Sequence, residues 1–445
     1  MEKMSSTDDK MKDIELIEDH NGNIDEDPES AAEEKALVRK IDLFLLPTIW
    51  IMYLLSYMDR TNIGNAKIAG MTDDLGMDSN QYSIALVFFV TYVIFEVPSN
   101  LILSKTKPSI FLPAIMLLWG VATCCMALID TYEHLVALRV LIGVLEAGFS
   151  PGILLLLSSW YKKNEQSRRF SVFISAAVLS GAFGGIIAGG ITGGLEGRYG
   201  IPIVSYFILL DFPANTKKLS VRERELAISR LERDDVTGRN EDTPRITSLQ
   251  ALKQAVTSWR VWLLTAGYMV IVGSSTLSYF YPTLVQGLGY TSHMAQYMVV
   301  PIYAGAFVCV GITGYFSDKF PAQRGLIISG WLVVSMICSI VVCVVYDFTA
   351  RYVLLVIMAA GLWSTNAISL SYASSTFGPF PQEVRAVALA MVNALGNLAQ
   401  IYGAYLFPSK DAPKYLLGFG VISGMCAFGV LTYALAHVLL RKYAK

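Results

Sequence analysis

Residues 325–345 read GLIISGWLVVSMICSIVVCVV, an apolar run without a single charged side chain. At about 1.5 Å per residue a helix of this length covers roughly 30 Å, the thickness of the hydrocarbon core of a bilayer. The same pattern repeats on both sides of this run. Blocks rich in apolar residues lie near 43–64, 81–103, 110–129, 135–160 and 170–194, with a short one near 199–210. Others lie near 261–284, 294–316, 351–373, 386–407 and 416–439. Lipid offers backbone groups no hydrogen-bond partners, so long apolar blocks of this kind must be helices. The expectation is an all-α membrane protein of twelve spans, divided into two six-helix halves by the polar segment 211–258.

Composition agrees. Of 445 residues 54% are hydrophobic and only 16% charged, against roughly a quarter charged in soluble proteins. The mean hydropathy is +0.48. A net charge of −1 gives no basic surplus for nucleic acid. All six cysteines fall within apolar blocks without paired spacing, as packing residues do. The four histidines show no metal-ligand spacing, and no metal or cofactor is expected. No Ser/His pair or acid dyad appears in the spans, which argues against an enzyme.

Charge outside the spans sets an expected orientation. Lys105 and Lys107 follow the second block; Lys162, Lys163, Arg168 and Arg169 follow the fourth; Lys319 and Arg324 follow the eighth. Arg385 precedes the eleventh, and Arg441, Lys442 and Lys445 close the chain. If twelve spans are counted, all lie on one side, so both termini and the central loop are expected to be cytoplasmic, in a multi-pass protein of the plasma membrane. Residues 1–40 read as a disordered acidic tail, 41–212 as the first half, 213–258 as the central loop, 259–440 as the second half and 441–445 as a tail. In the central loop LSVRERELAISRLERD, Leu219 to Asp234, reads as an amphipathic surface helix. The sixth block is thin: IPIVSYFILL, Ile201 to Leu210, covers only about 15 Å as a helix.

Ionisable side chains inside a span cost several kcal/mol without a partner or cavity, and so mark functional candidates. The first span carries Asp59 and Arg60, about 24 Å into the bilayer from Leu43. The fourth carries Arg139 at a similar depth and Glu146 near the midplane, seven residues apart and on one helix face. Two charge pairs at matching depth suggest one polar cluster. It either locks two helices together or serves transport. In the second case Asp59 and Glu146 carry protons while Arg60 and Arg139 hold an anion, the planar guanidinium pairing bidentately with a carboxylate. An anion that takes over an arginine leaves the carboxylate without its counter-ion. Glu96, two residues before Pro98, reads equally as a gate or a proton-coupling group. Further solute contacts are expected among Asn62, Asn65, Tyr279, Tyr281, Gln286, Trp363, Asn366, Asn393 and Asn397, although each residue alone is more readily explained by packing or interhelical hydrogen bonding.

Two halves of six spans resemble the major facilitator superfamily. GYFSDKFPAQR, Gly314 to Arg324, resembles that superfamily's loop motif. The resemblance implies a charge latch of Gly314, Asp318, Lys319 and Arg324 that closes the cytoplasmic face. The matching loop after the second span, PSNLILSKTKPS, lacks the acid. MDRTNIGNA (Met58 to Ala66), FEVPSNLIL (Phe95 to Leu103) and GVLEAGFSPG (Gly143 to Gly152) resemble the anion:cation symporter family. Within it they are most similar to fungal permeases for allantoate, nicotinate, pantothenate and related vitamins or ureides, as is FPSKDAPKYLLGF, Phe407 to Phe419. That resemblance implies that the acids at Asp59 and Glu146 serve proton coupling and the arginines at Arg60 and Arg139 the anion. It also implies a full sixth span, which Gly193 to Pro213 replaces with a segment one or two dozen residues shorter.

The expectation is therefore a secondary active transporter that imports a small organic anion, a vitamin, ureide or other carboxylate, together with H⁺ by alternating access. It works as a monomer in the lipid bilayer. A non-transporting nutrient sensor, or an inactive isoform with a shortened sixth span, is the alternative.

Overall fold

The structure is a computed structural model of the full chain. It describes residues 28–68, 75–76, 87–191, 221–233, 246–281, 284–285, 298–345, 347–403, 405–407, 411 and 414–442. In chain order the helices are α1 (Pro28–Ile68), α2 (Val87–Lys105), α3 (Pro108–Cys125), α4 (Tyr132–Glu146), α5 (Phe149–Ser158), α6 (Gln166–Ile191), α7 (Val221–Arg233) and α8 (Ser248–Thr257). There follow α9 (Trp259–Ser275), α10 (Val299–Lys319), α11 (Arg324–Val344), α12 (Phe348–Thr376), α13 (Gln382–Asn397), α14 (Ala399–Gly403) and α15 (Leu416–Lys442). Among the described residues nine stretches are helical, long and apolar enough to cross a membrane. Helices occupy the other eleven expected span positions; the sixth, residues 199–210, lies outside the described residues.

The chain enters and leaves these helices where local chemistry allows. Pro108 opens α3 at a position where no amide hydrogen is needed. The Thr131 side chain caps α4 by accepting from the His134 amide, and Asp347 caps α12 by accepting from that of Ala350 at 2.8 Å. Thr247 and Gln250 close a capping box at α8, a short helix that the sequence reading did not anticipate.

Three departures from the expected boundaries matter. Helix α1 begins at Pro28, inside the stretch read as acidic tail. The fourth span is two helices, α4 and α5, with a turn at Ala147 and Gly148. The eleventh is likewise divided at Leu398 into α13 and α14.

Burial separates inner from outer helices. Of the most apolar stretch in α4–α5 and in α12, 78% is buried, and of that in α13–α14, 83%; in α3, α10, α11 and α15 the share is 39%. The exposed faces of the outer set are themselves apolar, as with Leu117, Leu118 and Val121 on α3 or Leu431, Leu435 and Val438 on α15. A bilayer covers such faces, whereas water would not tolerate patches of this extent. The halves pack through α2 against α13 and through α6 against α10. Close packing there requires small residues: a Cβ at Gly314 on α10 would lie 2.2 Å from the Ser171 hydroxyl on α6.

At the end of the bundle rich in lysine and arginine, α1 and α7 form a brace. Lys40 pairs with Glu223 at 2.7 Å and Glu34 with Lys162 at 2.7 Å. Arg230, buried on the inner face of α7 with Ala227 and Leu231, reaches Glu165 and lies 3.6 Å from Glu34. Asp42 receives both Nε and Nη2 of Arg169, at 3.1 and 2.8 Å. Helix α7 falls within the expected Leu219 to Asp234 segment.

Candidate functional site

The buried charges converge between the halves. Helix α1 presents Ser56 and Arg60 on one face, four residues apart. The Arg60 Nε donates to Glu146 Oε1 at 2.8 Å, and the Ser56 hydroxyl donates to the same oxygen at 2.5 Å. Arg60 Nη2 and Glu146 Oε2 are buried and make no hydrogen bond. The guanidinium packs against aromatic faces, 4.6 Å from the Tyr92 ring centre and 5.6 Å from that of Phe88. Glycine makes this crowding possible: a Cβ at Gly143 would lie 2.2 Å from Thr91 Oγ1, so α4 runs hard against α2.

Asp59 follows a different path from its neighbour. Adjacent helical residues diverge by about 100°, and the Asp59 carboxylate accepts from the Thr123 hydroxyl on α3 at 2.9 Å. Buried Arg139, with Arg60 and Glu146, lies near enough for its charge to act on Asp59. The four charges expected to form one cluster thus share one region of the first half, and Arg60 and Glu146 form a direct ion pair within it.

Glu96 on α2 is fully buried and bridges the halves. Its Oε1 accepts from Asn393 Nδ2 on α13 at 2.5 Å, while Oε2 is buried without a hydrogen-bond partner. One turn further along α2, Asn100 Nδ2 donates to the Ala386 carbonyl at 2.7 Å. The seam between α2 and α13 is therefore polar over at least one turn.

A central cavity lies beside these groups, with a volume of about 40 Å³, room for a few water molecules. Among the described residues Arg60 is the cation in its lining. The expected residues Trp363, Asn366, Asn393 and Asn397 also line it. Tyr281 does not; it packs edge-on against Tyr303, with ring centres 5.6 Å apart. The side chains of Asn62, Asn65 and Tyr279, and the whole of Gln286, lie outside the described residues.

Several lining residues went unread in the sequence. Tyr53 and Tyr57 precede Arg60 by seven and three residues, which puts all three on one face of α1. Gln400 continues the face of Asn393 and Asn397 onto α14, and its Nε2 donates to Asn397 Oδ1 at 2.7 Å. Tyr268 on α9 and Ser150 on α5 are also among them. The helical spacing of Tyr53, Tyr57 and Arg60, and of Asn393, Asn397 and Gln400, is the signal that could have found most of them.

The latch residues lie at the basic end. Asp318 accepts from the backbone amides of Ser167 and Arg168, both at 2.8 Å, at the first turn of α6. It thereby acts as a cap from the opposite half, where an anion complements the helix dipole. Arg324 lies 3.2 Å from Asp318, donates to the Lys163 carbonyl, and meets the Ser375 hydroxyl at 2.9 Å. Gly314 gives α10 its close approach to α6. Lys319 stays outside this arrangement, exposed, with its ammonium 5.8 Å from the Phe320 ring centre. Arg385, counted above as a loop charge, is instead buried in α13 and donates to Ser159 Oγ at 3.1 Å across the halves.

Comparison with known proteins matches this geometry to a family. The Major Facilitator Superfamily profile matches residues 49–404. The chain is 34% identical to the MFS-type transporter cnsO of Penicillium expansum over 94% of this chain and 85% of that protein. It is 30% identical to the major facilitator-type transporter hxnP of Emericella nidulans, over 86% and 81%. In fold it is similar to the human organic anion transporter MFSD10 (TETRAN), with a TM-score of 0.61 at 13% identity, over 88% of this chain and 99% of that one.

Proposed function

Because the chain belongs to the Major Facilitator Superfamily, whose members are membrane transporters and not enzymes, we propose that it imports a small organic anion together with H⁺ by alternating access. The finer reading is a permease of the anion:cation symporter type in the plasma membrane, with both termini and the basic end in the cytoplasm. The observation that carries it is Arg60: a buried guanidinium in the cavity wall, satisfied through Nε by Glu146 and left with Nη2 unpartnered. A buried ion pair is seldom the most stable way to fill a site, so its presence favours a working role.

In this reading the solute carboxylate competes with Glu146 for Arg60. A carboxylate deprived of its counter-ion in a low-dielectric site takes up a proton. The proton and the anion then cross together, and the neutralised cluster lets the halves rock. Asp59, held by Thr123 beside Arg139, is the second proton carrier, and Arg139 assists with the anion. Glu96 senses the other half through Asn393. The Asp318 and Arg324 contacts hold the cytoplasmic end shut while the site faces outward.

Uptake of a labelled vitamin and carboxylate panel into cells expressing the chain, driven by an acidic exterior, tests the reading. Glu146→Gln is expected to abolish pH-driven accumulation and to leave exchange of labelled for unlabelled solute measurable. Accumulation that survives Glu146→Gln would remove Glu146 from the coupling step.

A further inference from the structure

The make-up of the cavity narrows the solute further. Aromatic rings come from both halves: Tyr53 and Tyr57 from α1, Tyr268 from α9 and Trp363 from α12. Tyr57 and Trp363 meet edge to face across the halves, with ring centres 6.2 Å apart and planes at 66°. Tyr53 and Tyr57 have ring centres 5.6 Å apart at 67°. Among the described residues the lining offers one cation, Arg60. It also carries amides: Asn366, whose Oδ1 is buried without a partner, and the linked Asn397 and Gln400.

These features select a chemistry. One guanidinium, already shared with Glu146, suits a single carboxylate, and a second negative charge in the solute would meet no further cation among the described residues of this lining. Edge-to-face rings welcome another ring, offset-stacked or edge-on. A cavity this small between aromatic walls admits a flat solute with less rearrangement than a bulkier, puckered one of the same length. Amides at the wall can satisfy a polar substituent and leave an analogue lacking it at a disadvantage.

We propose that the cavity between Tyr57, Trp363 and Tyr268 binds a planar aromatic monocarboxylate carrying a polar ring substituent, with its carboxylate at Arg60 and its substituent at the Asn366, Asn397 and Gln400 amides. This rests on the reading of Arg60 as the anion contact. The ring is recognised by the aromatic walls in either direction of transport, so binding and movement can be tested separately.

The experiment uses the purified full chain and three probes: 4-hydroxybenzoate, its saturated analogue cis-4-hydroxycyclohexanecarboxylate, and benzene-1,4-dicarboxylate. Binding is read by ligand-dependent thermal stabilisation, and movement by uptake into proteoliposomes under a pH gradient. The expected result is tightest binding of 4-hydroxybenzoate. The saturated analogue should bind about three- to tenfold more weakly, the range that lost ring contacts imply. Trp363→Ala should erase that preference, and Trp363→Phe, which keeps a ring, should retain it. Equal binding of the saturated analogue, equal binding of the dicarboxylate, or binding of none of the three overturns the proposal. Ring-selective binding without pH-driven uptake would support the ring site and sink the symport reading instead; uptake of both monocarboxylates without preference would do the reverse.

Discussion

At the scale of single residues, Arg60 does most of the work that distinguishes this cavity from ordinary helix packing. Its Nε serves Glu146 while its flat face lies on Tyr92. Lysine keeps the charge but has neither the fork nor the plane. Arg60→Lys should weaken anion binding by about 2 kcal/mol, the worth of a hydrogen bond to a charged group and roughly thirtyfold in affinity; a concentration series of solute uptake checks this, and an unchanged half-saturation value refutes it. The four charges were legible because an ionisable group in an apolar run stands out by its cost alone. Their pairing was not. Depth along two helices does not fix rotation about them, and Asp59 turns to Thr123 while Arg60 turns to Glu146. Tyr53 and Tyr57 were marked only by their helical register with Arg60, and Tyr268 not at all, since an aromatic residue in an apolar block otherwise carries no sign that separates cavity wall from core.

At the scale of elements, apolar length alone located the spans, because hydrocarbon thickness fixes how long a helix must be. It could not locate breaks within them. The turn at Ala147 and Gly148 falls directly after Glu146, so the carboxylate sits at the end of a helix, a placement that hydropathy does not register. Nor could composition reveal that α1 starts at Pro28. The acids read as tail, Glu33 and Glu34 among them, find bases on α7 and on the segment before α6, contacts between residues more than a hundred positions apart. The brace is uneven in strength. Lys40 and Glu223 are partly exposed, and the coupling energy of that pair in a double-mutant cycle should fall below about 1 kcal/mol. Arg230 is buried against Glu165, and Arg230→Ala, which takes the guanidinium from that acid and leaves it the Lys162 amide, should cost about 3 kcal/mol. Thermal unfolding of the purified variants decides; a Lys40→Ala loss as large as that of Arg230→Ala overturns the ranking.

At the scale of the whole molecule, polar contacts tie the two halves at the basic end. Asp318 caps α6 from the other half, Arg324 reaches the Lys163 carbonyl, and Arg385 reaches Ser159. Such ties break and re-form more readily than an interdigitated apolar seam. Asp318→Ala removes two amide contacts and the Arg324 pair together. It should shift the population toward a state open at this end, read as a longer distance between spin labels on the exposed Thr106 and Gln323 in a cysteine-replaced background; an unchanged distance distribution would argue that other contacts hold the closure. The small cavity has a consequence for the cell's energy economy. A site with room for only a few water molecules is a poor conduit for water, and for protons hopping along a chain of it. When solute is scarce, the idle carrier should dissipate little of the gradient that drives it. Proteoliposomes carrying a pH dye, with no solute on either side, should hold an imposed gradient nearly as long as protein-free vesicles.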